Sequence, residues 1–599
     1  MRPAARPAAL LCAAALVLTG CGLLGGGPDD VAEHFATAWS AGDDARAAAL
    51  TDDPRAAAEL LGGVRTALAP TALTVTVGQV RTARDRAVAA VDLRWDLGEG
   101  RVWSYPGELA LRPAPGSEEG WAVHWAPSVV HPELGERQRL ALRSEPATPG
   151  PVVDRAGLPL MSATQVITVL LDRRAAADLP AVARTLAAAL GPIDASITER
   201  SINDGANRTP DGQAYAVAVL RERDYDRARA AIYDLPGVRF LRSERLLAGD
   251  PAFGRQVLPA LRREMAARLD GVPGWAVVAV DGAGSVAGTL TEQAPQPGGT
   301  VATGMSLAAQ IAAEDAVQPV AQQAMIVAIT PSTGQILAVA QNDAADAQGA
   351  VALTGRYPPG STFKIVTAEA GITGAGLSAT TPVECPAGVV VDGRPVPNAG
   401  GFGLGTVPLR TAFARSCNTT FAQLGARLAA EALPAAALTL GLGADFAVPG
   451  LVTVTGAVPP GPTEVLRAEN AFGQGQVLAS PFGMALVAAT VARGAPIVPQ
   501  LITERPTEVL RGATAPDAAA LAQVRTMMRA VVTEGTATRL AGLGEVFGKT
   551  GTAEFAADGR AHGWFVGYRG DVAFAVLVVD GGSSEVAVEV AERFLRAVG

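Results

Sequence analysis

The hydrophobic and polar positions divide the chain into stretches of different period. From Asp29, apolar residues recur at Val31, Phe35 and Trp39, a spacing of about four that gathers them on one helix face. From Leu73 the period becomes two: 73–77, 87–93, 102–111 and 121–125 alternate as half-buried antiparallel strands do. Helix first and strands afterwards predict a small α+β domain over 29–134. Residues 135–150 are polar, carry Pro146 and Pro149, and read as a linker. A second α+β region is expected at 147–300, with a short strand entering a turn at 151–157. A strand at 166–171, a helix at 182–190, a strand at 214–220, a helix at 225–232 and a turn at 235–238 follow. It holds no constellation of reactive side chains and reads as a spacer, or pedestal. The last region, 301–599, opens on two apolar strands, 324–330 and 335–341, joined by the hairpin residues Pro331-Ser332-Thr333-Gly334. Three more strands, 546–553, 563–568 and 572–579, and a helix over 585–598 close the chain. Between the two strand groups the pattern is mainly helical. An antiparallel sheet drawn from both ends of this region would bring residues near 549 back towards the first helix of the insert.

That helix follows Pro358-Pro359-Gly360-Ser361-Thr362-Phe363-Lys364, with Ile365, Val366, Ala368, Ala370 and Ile372 continuing without a proline. Ser361 is expected in its first turn, with Lys364 three residues on and on the same face. A hydroxyl beside an amine is what nucleophilic catalysis without histidine requires, provided burial or a neighbouring cation lowers the amine's pKa. Taken alone, the spacing fits an N-cap serine and a surface lysine equally well. Composition changes that picture. Of 49 basic residues, Lys364 and Lys549 are the lysines and the rest are arginine. Arginine does not deprotonate in a protein, whereas a buried lysine can serve as a base. The second lysine lies in Lys549-Thr550-Gly551-Thr552, so both are expected to be there for chemistry. Ser416-Cys417-Asn418, before a helical pattern at 419–428, is a third candidate; alone, it would be a helix cap.

The N-terminus carries Arg2 and Arg6, an uncharged run over 8–18 and Leu18-Thr19-Gly20-Cys21, the layout of a secretory signal. The run is shorter than the roughly 20 apolar residues of a spanning helix. Residues 1–20 are therefore expected to be a signal peptide and 21–28 a Gly-rich tether. The small residues before Cys21 resemble a bacterial lipobox, which implies cleavage there, acylation of the Cys21 sulfur and work at the outer face of the cytoplasmic membrane. Hydrophobic content of 49% and charged content of 18% fit globular domains. A net charge of −9 with no basic cluster argues against nucleic acid as a partner. Cys385 and Cys417 remain as an exported pair, either bridged or two buried thiols. His34, His124 and His131 share no ligand spacing and read as structural, as does His562. No metal or other cofactor is expected.

In order, Ser361-x-x-Lys364, Ser416-Cys417-Asn418 and Lys549-Thr550-Gly551 resemble the three motifs of penicillin-binding proteins and serine β-lactamases. Gly473-Gln474-Gly475 before Ser480-Pro481, Glu534-Gly535-Thr536 and Trp564-Phe565-Val566-Gly567 agree with it. Asp154-Arg155-Ala156-Gly157 resembles the entry motif of class B penicillin-binding proteins, and 29–134 the NTF2-like extension of their methicillin-resistance subgroup. The resemblance implies an α+β multidomain fold: an NTF2-like domain, a dimerisation-type pedestal, and a transpeptidase domain with a five-stranded antiparallel sheet flanked by helices. It implies a D,D-transpeptidase that cross-links peptidoglycan stem peptides, is acylated by β-lactams and has a D,D-carboxypeptidase side activity. Glycan-polymerising or cell-division proteins are its expected company. Ser361 would be the nucleophile, Lys364 the base and Ser416 the proton relay. Asn418 would orient the substrate, and Lys549, Thr550 and Thr552 would hold its carboxylate. Backbone N–H groups of Ser361 and Thr552 would form an oxyanion hole, and Gly551 would let the substrate strand lie close to the sheet edge. The rivals are a β-lactamase, which has little use for the long N-terminal extension, and a β-lactam sensor or cell-wall scaffold.

Overall fold

The structure, a computed structural model, describes residues 26–555 and 559–598. The expected signal segment, the expected lipidation site Cys21 and the expected tether up to residue 25 lie outside them. The chain folds as two compact units: residues up to Pro146 together with Pro273–Gln296, and Ala147–Val272 together with Pro297–Gly599.

In the first unit, helices Pro28–Ser40, Asp44–Ala49 and Pro54–Leu68 precede the strands. Asp43 and Asp53 cap the second and third by accepting the N–H groups of Arg46 and Ala56. Strands Ala72–Ala83, Arg86–Asp96, Val102–Pro113 and Trp121–Val123 pair antiparallel in chain order. In Arg86–Asp96 the period of two is fully expressed, with Ala87, Ala89, Val91, Leu93 and Trp95 buried. They share a core with Phe35 and Trp39, and the Trp39 and Trp95 rings meet edge-on at 5.8 Å.

The expected linker and pedestal boundaries need correction here. Arg139–Glu145 is a strand, and it pairs antiparallel with Gly274–Val280, which pairs in turn with Val286–Gln293. Leu140, Trp275, Val277 and Ala279 join the core of the first unit, so 273–296 is not part of the pedestal. The strand is hard to read because its two leucines are flanked by Arg139 and Arg143, which point away from the core.

In the second unit, Pro159–Leu171 is the pedestal's organising strand. Val152–Val153, Tyr215–Arg221 and Val238–Leu247 pair with it antiparallel, and Val301–Ala302 lies parallel to Val152–Val153. The strand 238–247 was not expected beyond its opening turn, because charged residues interrupt its apolar positions. Helices Leu179–Leu190, Glu199–Arg208 and Glu222–Ile232 cover one side. The Asp154 carboxylate accepts N–H groups of Ala156 at 2.7 Å, Leu158 at 2.9 Å and Leu307 at 3.0 Å, and Arg155 reaches Thr330 Oγ1 at 3.1 Å. The entry segment thereby fastens the pedestal to the C-terminal sheet.

That sheet is five-stranded and antiparallel, in the order Ile336–Gln341, Ala324–Ile329, Val572–Val578, Ala561–Arg569, Val546–Glu554. Its first two strands are buried along their whole length, which accounts for their unbroken apolar runs. Helices Leu307–Val317, Pro481–Arg493 and Ser584–Ala597 flank it. Closing the sheet with strands from both ends leaves Val546–Glu554 as an edge beside the helical insert. Among the described residues no helix is long and apolar enough to cross a membrane.

Candidate active site

The two prolines and Gly360 shape the start of the insert's central helix. Gly360–Phe363 is a 3₁₀ turn and the α-helix, Lys364–Ala375, begins at the lysine itself. Ser361 therefore sits one tight turn before the α-helix rather than in its first turn, a common way for a helix to start. Gly360 has φ +52°, and a side chain there would come within 2.6 Å of Thr552 O; one at Gly473 would come within 2.1 Å of Gly360 O. Both glycines are needed for the turn to wedge between the edge strand and the 473–475 loop.

Lys364 Nζ lies 3.0 Å from Ser361 Oγ, 2.9 Å from Ser416 O and 2.7 Å from Asn418 Oδ1. Two of these partners are carbonyl oxygens, which only accept. A neutral amine has two N–H groups for them and one lone pair, which then faces the Ser361 hydroxyl. Burial pushes the Lys364 amine well below its ordinary pKa, and the Lys549 charge adds to this. Lys549 is fully buried too, and burial lowers it to about 7. Its Nζ lies 2.9 Å from Ser416 Oγ and 2.9 Å from Thr550 O. Ser416 Oγ is 3.3 Å from Lys364 Nζ, so the hydroxyl stands between the two amines. Phe421 and Phe413 close the apolar side, their ring centres 5.5 Å from Lys364 Nζ and 5.7 Å from Lys549 Nζ.

Ser416 occupies the gap between helices Leu409–Ala414 and Asn418–Arg427, with φ +60°. Such a backbone for a non-glycine residue costs about 1–3 kcal/mol and persists only where its surroundings enforce it. They do so here. The Cys417 N–H donates to Ala412 O at 2.8 Å, and Cys417 is bonded to Cys385 on the strand Pro382–Cys385, Cα to Cα 6.2 Å. Asn418 Nδ2 adds a bond to Pro397 O at 3.3 Å. The disulfide thus holds the segment that carries both Ser416 and Asn418.

A cleft of about 860 Å³ opens over these groups, lined among others by Ser361, Ser416, Asn418, Gln474, Thr550 and Thr552. Thr550 Oγ1 is 2.5 Å from Thr536 Oγ1, which gives Thr536, noted in the sequence without a role, a place at its wall. Gly551 acts differently from expectation. A side chain there would meet Pro359 O and Thr362 Cγ2 at 2.9 Å each, so its bareness admits the Ser361 turn rather than a substrate strand. His562 packs between Phe555 and Tyr357, and its Nδ1 accepts the Asp580 N–H at 3.2 Å. His34 and His124 pair with Glu119 and Asp52, and His131 is buried against Trp103 and Tyr105. Among the described residues no His, Cys, Asp and Glu cluster could hold a metal ion.

Residues 324–596 match the family described as the penicillin binding protein transpeptidase domain, and residues 27–138 the NTF2-like N-terminal transpeptidase domain. The chain is 32% identical over 343 residues to the peptidoglycan D,D-transpeptidase PbpA of Mycobacterium tuberculosis (strain H37Rv), covering 47% of this chain and 68% of that protein. The chain belongs to the penicillin-binding protein transpeptidases. PbpA of Mycolicibacterium smegmatis is similar to the same extent, 32% over 339 residues, with 48% of this chain and 68% of that protein covered. Within the transpeptidase domain, the three sequence motifs, nearly 190 residues apart from first to last, meet at one hydroxyl cluster. The sequence missed what Gln474 touches, since a lone glutamine between two glycines carries no signal of its partner.

Proposed function

We propose that the protein is a serine D,D-transpeptidase that cross-links peptidoglycan stem peptides and is acylated by β-lactams. The observation that carries this reading is the fully buried Lys364 amine, 3.0 Å from Ser361 Oγ and held by the carbonyl oxygens of Ser416 at 2.9 Å and of the Asn418 side chain at 2.7 Å. Ser361 Oγ attacks the carbonyl of the D-Ala-D-Ala bond while its proton passes to Lys364, as general base catalysis requires. The oxyanion is met by the backbone N–H groups of Ser361 and Thr552; one such donor is worth roughly 3–4 kcal/mol of barrier. Ser416, between the two amines, relays the proton to the leaving amine as the C–N bond breaks. An acceptor amine then attacks the ester and releases Ser361; water in its place gives the carboxypeptidase side reaction. Thr550, Thr552 and the charge on Lys549 hold the substrate carboxylate, and Asn418 orients the peptide. No cofactor enters. The lipobox at Cys21 supports anchoring by lipid at the outer face of the cytoplasmic membrane.

The test is labelling with a fluorescent penicillin followed over time. The protein should form a covalent adduct at Ser361 that persists over many turnovers of a β-lactamase, and Ser361→Ala should form none while melting normally. Rapid release of hydrolysed penicillin would favour a β-lactamase instead.

A further inference from the structure

The strand Val546–Glu554 gives one edge to Ala561–Arg569 and turns the other to the cleft. In an antiparallel ladder, alternate residues direct both peptide groups to the same side. Thr550, Thr552 and Glu554 present theirs to the cleft. The Thr550 carbonyl is taken by Lys549 Nζ at 2.9 Å. Glu554 is taken by Gln474: the side-chain N–H donates to Glu554 O at 3.1 Å, and the side-chain carbonyl accepts the Glu554 N–H at 3.1 Å. The reverse orientation of this amide would set acceptor against acceptor and donor against donor. A two-bond exchange of this kind is what one residue of a neighbouring antiparallel strand makes. The loop beneath is fixed. The Gln474 N–H donates to Glu469 O at 3.0 Å, the Gly360 N–H to Gly473 O at 3.1 Å, and the Gln476 N–H to Asn470 Oδ1 at 2.8 Å.

We propose that Gln474 is a positioning residue that closes the strand edge beyond Thr552, so that an extended peptide donor pairs at Thr552 alone. The inference rests on the acyl-transfer reading above. With Thr550 O and Glu554 occupied, Thr552 is the residue left to pair with an incoming strand, its C=O standing 3.5 Å from the Gln474 side-chain amide, against the 3.1 Å of the two Glu554 bonds. The residues of the donor upstream of the attacked carbonyl must then leave the sheet. With Glu554 free, a donor carrying further residues can slip along the edge by two positions, the step that keeps its side-chain facing. Its carbonyl then sits about 7 Å from its productive place. Binding of that kind is non-productive. It lowers kcat and KM by the same factor and leaves kcat/KM unchanged, a signature that general damage to the site does not produce.

The experiment uses the full chain and D-alanyl thioester donors, in which Ser361 displaces a thiol, with either a bare acyl group or two further residues before the D-alanine. For Gln474→Ala, the short donor and the penicillin acylation rate are expected to stay within about twofold of the parent. For the long donor, kcat and KM should fall together by about tenfold, with kcat/KM retained. Gln474→Glu, which keeps the shape but not the N–H, should show the same split to a smaller degree. The inference is overturned if long and short donors respond alike. It is equally overturned if both variants lose penicillin acylation, because Gln474 would then only support the fold. A parent protein that neither penicillin nor thioester acylates at Ser361 would overturn the acyl-transfer reading itself, a separate outcome.

Discussion

Lysine occurs twice in this chain, and both amines end within 3.3 Å of the Ser416 hydroxyl. Their roles differ by environment. Lys364 has two carbonyl acceptors and the Ser361 and Ser416 hydroxyls around it, whereas Lys549 has one carbonyl and the Ser416 hydroxyl. Lys364→Arg keeps a charge but offers no lone pair, so penicillin acylation should slow by about 10²–10⁴-fold. Lys549→Arg keeps the charge and the donors, but forces a larger group into a closed slot at about 1–3 kcal/mol, roughly a 5–150-fold loss. The pH dependence separates the two further. Acylation needs Lys364 unprotonated, so its rate rises with pH through the Lys364 pKa, which burial and then the Lys549 charge depress. Lys549→Met removes that charge, the Lys364 pKa rises, and the rising limb should move to higher pH. Burial, the larger cause, persists, so the limb should stay below the range of a free lysine. A limb that does not move in the acylation rate–pH profile would show that Lys549 does not tune Lys364.

Among elements, the segment from Leu409–Ala414 to Asn418–Arg427 carries strained backbone at Ser416, inside the cleft, and the Cys385–Cys417 bond is its tether. In the chain-entropy account, closing a loop of this length contributes roughly 3–4 kcal/mol. Cys385→Ala with Cys417→Ala should therefore lower the melting temperature. It should also slow acylation at temperatures where the variant is still fully folded, because the strained Ser416 is freed to relax. A double variant that melts lower yet acylates at the parent rate would limit the bond to stability. Helix and strand periods made most of these elements legible. The left-handed Ser416 was not, since serine carries no local preference for that backbone; the surrounding fold imposes it.

At the scale of the molecule, the first unit is discontinuous in sequence. A chain shortened to 147–599 keeps Gly274–Val280 but loses its partner Arg139–Glu145, exposing Trp275, Val277 and Ala279. That chain should aggregate. If 273–296 is removed as well and the ends are joined, it should stay soluble and still acylate, because Gly150 and Gly299 bond to Leu269 and Arg268 and keep the cut ends near each other. Gel filtration and penicillin labelling of the two chains decide this. For the full protein, Cys21→Ala should abolish lipid attachment, so that the exported chain leaves the membrane fraction or stays unprocessed. A correctly cleaved, membrane-bound Cys21→Ala protein would end the lipobox reading.

By itself, the sequence determined the periods of most elements, the order of the three motifs and the scarcity of lysine. These are local properties, written in neighbouring residues, and they were enough for the family and for the candidates Ser361, Lys364, Ser416, Asn418 and Lys549. The tertiary structure decided what distant residues do to each other. It moved Arg139–Glu145 and the 274–293 hairpin into the first unit, through pairings more than a hundred residues long in sequence. It also turned Gly551 towards the Ser361 turn and set Gln474 on Glu554. A strand's partner and the object facing a bare glycine or an amide are set by packing across the fold. No window of neighbouring residues contains them.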